Sequence, residues 1–157
     1  MANQVAIPAP VTQRKGLYES DYYAWALEQA RALRSHSSKA LDWENLAEEV
    51  EGLARTEARE LRSRLEILLV HLLKWRSQPQ KRSTSWRLSI REQRRRIVQL
   101  IEENPSLKST QQASVAVAYD IARLVTARQT RLAEKNFPPA SPWSFEQIAD
   151  TNFWPKS

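Results

Sequence analysis

Between residues 41 and 96 the chain carries three sets of side chains able to do chemistry: the carboxylates Glu48, Glu49 and Glu51, the imidazole of His71, and a tract of arginine and tryptophan. Carboxylate and imidazole together are metal ligands, and helical bundles hold such centres. The spacing speaks against one here. The residue three before His71 is Leu68, so the Glu-x-x-His pair of di-iron bundles is absent. On one straight helix Glu49 and His71 stand 22 residues apart, roughly 33 Å at helical rise. A shared metal would need a break near residues 52–56 or a second chain. No metal and no cofactor are therefore expected. The glutamates read as ion-pair partners instead: Glu51 and Arg55 stand i,i+4. Arg94 falls on an apolar stripe, where an unpaired cation is costly, so one of Glu48, Glu49 and Glu51 is expected to reach it.

Two further constellations stand out. Arg64 and His71 are seven residues apart, nearly two helical turns, and so share a face. An imidazole that titrates near neutrality beside a fixed anion clamp suits metal-free attack on a phosphodiester. The plainer reading of His71, beside Leu68 and Leu72, is a core histidine with a hydrogen-bond partner. In the second constellation, Arg87, Arg91 and Arg95 form one stripe at spacing four, with Trp86 next to it. Cations interleaved with indoles suit phosphate neutralisation and base stacking. The plainer reading is a solvated face whose tryptophans anchor the core beneath overlying cations.

Composition sets the frame for these side chains. The 157 residues include two glycines and no cysteine. So little glycine argues against a sheet with its turns, and abundant Ala, Leu, Glu, Arg and Gln favour helix. Without cysteine there is no disulfide and no thiolate metal site, which suits a reducing cytoplasm. No apolar run approaches the ~20 residues needed to cross a bilayer, and no signal peptide is visible. The net charge of +6 makes this a basic protein. Its charge is segregated: residues 42–60 hold seven acids against two arginines, and residues 74–96 hold nine bases against one acid.

The elements that must position these groups follow from apolar spacing. Residues 1–16, with two prolines and no period, read as a disordered lead-in. Residues 17–157 read as one helical domain. A first helix starts at Ser20 or Asp21 and carries Tyr22, Trp25, Ala26, Gln29 and Leu33 on one face. Asp42 caps a second, long helix whose stripe is Leu46, Val50, Leu53, Leu61, Leu65, Leu68, Leu72 and Trp75, ended by Pro79. A third covers residues 84–103, with Trp86, Ile90, Arg94, Ile97 and Ile101 inward. Asn104-Pro105 opens a fourth, read as buried along Val117, Ile121, Leu124 and Arg128 and widened by Val115, Ala118, Ala122 and Val125. Ser144-Phe145-Glu146-Gln147 has capping-box spacing for a short last helix. The predicted fold is an all-α antiparallel bundle of about four main helices, with the short C-terminal helix and an aromatic tail packed across it.

The succession Tyr18/Asp21/Tyr22/Trp25, residues 42–51 (DWENLAEEVE), His71 to Trp75, Gln78-Pro79, Trp86, Arg94, Pro105-Ser106-Leu107, Tyr119, Phe137-Pro138 and Pro142-Trp143 resembles one bacterial family, the domain of unknown function family twenty-nine. The resemblance spans roughly residues 17–155. It implies an all-helical bacterial domain and no assigned activity, with signature positions Glu48, Glu49, Glu51, His71, Lys74, Trp75, Trp86 and Arg94. Separately, Arg-x6-His resembles the active-site motif of certain all-helical RNases of prokaryotic defence systems. There it implies a histidine acting on the ribose hydroxyl and an arginine on the phosphate. The expected function is a non-enzymatic module that binds a protein partner or a second copy of itself. The alternative is a nucleic-acid-binding protein or metal-independent RNase using Arg64 and His71, with RNA as the partner.

Overall fold

The computed structural model describes residues 12–157 of the chain, and every regular element among them is helical. The reading of residues 1–11 as a lead-in lies outside the described residues. Thr12–Ser20 form a helix, α1, which takes in the end of the segment read as lead-in. The helix expected from Ser20 or Asp21 is α2, Tyr22–Arg34, capped by Asp21, whose side chain accepts from the Ala24 N–H. His36 adopts a left-handed φ of 55° as the chain leaves α2. The long helix α3 spans Trp43–Ser77 without interruption. Asp42 caps it, accepting from the Asn45 N–H at 3.4 Å. The fold-back near residues 52–56 that a shared metal would have required does not occur.

Helix α4, Thr84–Glu103, has the predicted bounds, with Ser83 accepting from the Trp86 N–H at its start. The fourth predicted helix begins as a 3-10 turn at Pro105–Thr110 and becomes regular only in α5, Gln111–Thr130. Arg131, at φ 59°, ends it in the left-handed region. The capping box of α6, Phe145–Ala149, forms as read: Ser144 and Gln147 each bond the other's backbone.

The chain divides into two compact units, one ending at Ala54 and one starting at Arg55. In the first, Trp25, Gln29 and Ala32 are buried on α2, while Val50 and Leu53, assigned to the core stripe, are exposed. In the second, the C-terminal part of α3 packs with α4 and α5 as an antiparallel bundle. Its core includes Leu61, Leu65, Leu68 and Leu72 of α3, Ile90 and Ile97 of α4, and Val115, Ala118, Tyr119 and Ala122 of α5. Phe137, Trp143, Phe145 and Ile148 close it from the C-terminal segment. Trp154 lies against Trp75 at 4.7 Å between ring centroids, so the aromatic tail does pack on this unit.

One line of the predicted α5 face is turned outward. Val117, Ile121 and Leu124, read as the buried line of α5, are 50%, 45% and 51% exposed. Val115, Ala118 and Ala122, read as widening that face, are buried, with Ser114, Tyr119, Thr126 and Thr130 beside them. Ala118 and Ala122 sit within the inward face, where small side chains let neighbouring helices approach closely.

Candidate functional site

Arg94 sits on the inner face of α4 and is 1% exposed. The expected glutamate does not meet it. Its Nε donates to the Ile148 carbonyl at 2.8 Å and one Nη to the Phe153 carbonyl at 2.7 Å. Its guanidinium also lies 5.4 Å from the Trp154 ring centre. The other Nη has no partner among the described residues. Burial pushes this arginine's pKa down, and the nearby Asp150 carboxylate opposes that only in part. Arg94 thus fastens the C-terminal segment to α4 through backbone oxygens. A planar fork with several donors does this where one ammonium could not.

The glutamates belong to the first unit. Glu49 accepts from the Tyr18 hydroxyl at 2.6 Å and from the Tyr22 hydroxyl at 2.9 Å. The rings of Tyr18 and Trp25 meet edge to face at 4.8 Å, and the Trp25 indole donates to Asp42 at 3.2 Å. The Glu49 carboxylate raises the Tyr18 pKa to about 12, chiefly through that hydrogen bond, and raises Tyr22 in the same way. Glu48 and Glu51 are both exposed. Sequence reasoning gave Tyr18 and Tyr22 no chemical role. Their i,i+4 spacing, with Trp25 one turn further along, was the available signal. Among the described residues no group of three His, Asp or Glu side chains is arranged to hold a metal.

Arg64 and His71 each have a partner of their own. Arg64 is bound to Glu60 at 2.7 Å, with a long bond of 3.4 Å to Gln93. His71 Nδ1 hydrogen-bonds the Ile67 carbonyl at 2.8 Å, one turn back on its own helix. That bond makes Nδ1 the donor and leaves Nε2 as the basic nitrogen.

In the arginine and tryptophan tract, several cations lie over rings. Lys74 stands 4.5 Å from the Trp86 ring centre and Arg82 5.0 Å from that of Trp75. Arg82 also donates to the Trp75 carbonyl at 2.9 Å. Burial lowers the Lys74 pKa. Arg87, Arg91 and Arg95 are different: all three are exposed, and none makes an ion pair with another described residue. Arg91 and Arg95 border a groove of about 860 Å³ between α4 and the residues around Ala149 and Thr151, with Leu88 and Val98 at its sides. Glu92 and Glu102 also line it, so the groove is of mixed charge.

No described helix is long and apolar enough to cross a membrane. A family model, Domain of unknown function DUF29, matches residues 17–154. No curated protein and no solved structure matches the chain.

Proposed function

The chain belongs to the DUF29 family, and on that premise we propose that it is a non-enzymatic protein-interaction module of the bacterial cytoplasm. The observation carrying this reading is the outer row of α5. Val117, Ile121 and Leu124 are each about half exposed, and they stand at i, i+4 and i+7 of one helix. Single exposed apolar residues are ordinary; three aligned on one face are a docking surface. The opposite face of the same helix is already filled with core contacts, so the row is surplus to folding.

The enzymatic reading has less support. A general base must reach the proton it removes, and an anion clamp must be open to phosphate. Arg64 is already engaged by Glu60. The deciding assay incubates the purified chain with fluorescent single-stranded RNA. No cleavage is expected. Cleavage by the native chain that disappears in both Arg64→Ala and His71→Ala would overturn the interaction reading.

One observation favours a second reading: the exposed Arg87, Arg91 and Arg95 stripe could neutralise RNA phosphates. Trp86 contributes less to it than its neighbours suggest, because Lys74 already covers its ring. This reading requires binding that weakens steeply with salt in a gel-shift titration, and it fails if low salt gives no shift.

A further inference from the structure

We propose that the partner of α5 is a second copy of the chain, the two α5 helices packing antiparallel about a two-fold axis at Leu124, with Asp120 of each facing Arg128 of the other. The proposal rests on the interaction reading above and names its occupant. At 100° per residue, Val117, Ile121, Leu124 and Arg128 fall within a sector of about 60°, and Asp120 borders it. Asp120 and Arg128 are both exposed, and neither makes an ion pair with another described residue. They cannot satisfy each other within one helix, since eight residues of rise separate them by about 12 Å. The cation closest to Asp120 in sequence, Arg123, is engaged by Glu134 at 3.3 Å.

Symmetry turns this spacing into complementarity. In a two-fold antiparallel pair, residues i and j equidistant from the axis lie at the same height across the seam, and each contact occurs twice. Asp120 and Arg128 are equidistant from Leu124. One register therefore sets two leucines against each other at the centre and brings an acid level with a base on either side. A parallel pair would instead oppose Asp120 to Asp120 and Arg128 to Arg128. A seam one helix wide lies below the usual interface size, so the dimer is weak, with a dissociation constant on the order of 10–100 µM.

The test is sedimentation equilibrium of the full chain from about 1 µM to about 1 mM, with circular dichroism to confirm folding. The native chain is expected to pass from monomer to dimer. Asp120→Arg and Arg128→Asp each turn two attractions into two repulsions, and each weakens the dimer by roughly tenfold or more. Leu124→Asp, on the axis, abolishes it. The double swap, and an equimolar mixture of the two single variants, regain it, because both arrangements restore opposite charges at both contacts. A native chain that stays monomeric throughout overturns the pairing and passes the row to a different partner. So does association indifferent to both swaps. The RNA assay above, by contrast, bears on the interaction reading itself.

Discussion

In the unit ending at Ala54, Trp25 donates its indole N–H to Asp42, and Tyr18 and Tyr22 both donate to Glu49. In the unit starting at Arg55, Leu61, Leu65, Leu68 and Leu72 are wholly buried among other apolar side chains. The first arrangement depends on the direction of a few polar bonds and on the charge of two carboxylates. The second depends on apolar area removed from water, which has no direction and no pKa. The two units should therefore respond to different insults: cavities should damage the second, and pH and carboxylate changes the first. Arg94 is the exception that marks the boundary of this rule, a directional polar contact set inside the apolar unit.

The largest effect is expected from Leu68→Ala. Removing a fully buried leucine leaves a cavity, and the expected loss is about 2–5 kcal/mol. Urea unfolding followed by tryptophan fluorescence measures it. A loss below ~1 kcal/mol would mean that the leucine layer collapses freely, and the contrast with the first unit would lose its basis. Next in size is Arg94→Met, which keeps most of the volume but strands the Ile148 and Phe153 carbonyls. Hydrogen bonds to a charged group are worth more than neutral ones, so a loss of roughly 1–3 kcal/mol is expected. Release of the C-terminal segment should accompany it, seen as faster amide exchange after residue 148. Unchanged exchange there would show that Trp154 and Ile148 hold the segment by area alone.

The elements built on local rules were legible in the sequence. Asn104-Pro105 closes α4, and Ser144 with Gln147 announces α6; each signal lies within a few residues of the boundary it sets. The inward turn of Arg94 was legible too, because Ile90 and Ile97 lie one turn to either side. Its partner was not. A carboxylate is visible in a sequence, whereas the carbonyls of Ile148 and Phe153 look like any other backbone oxygen. The edge of the α5 face was not legible, for a related reason. Val115, Ala118 and Ala122 lie inward as the spacing predicts, while Val117, Ile121 and Leu124 on the neighbouring line face out. Where apolar residues spread past one face of a helix, the pattern does not say which edge the neighbours cover.

The smallest effect is the sharpest test of the first unit. A phenol that donates to a carboxylate keeps its proton longer than one in water. Tyr18 should therefore titrate near pH 12 rather than its ordinary 10. Because the folded value lies above the unfolded one, the stabilising contribution is complete below pH 10 and is lost as pH rises through 12. Phenolate absorbance of the native chain minus that of Tyr18→Phe isolates this group. In a Glu49→Gln background the difference should shift down towards 10, and Tyr22 should move the same way, since both shifts come first from that carboxylate. The leucine layer offers no reason for any titration to respond to Glu49. If Tyr18 titrates normally in the native chain, the clamp does not persist in solution. The first unit would then be held, like the second, by the burial of its rings.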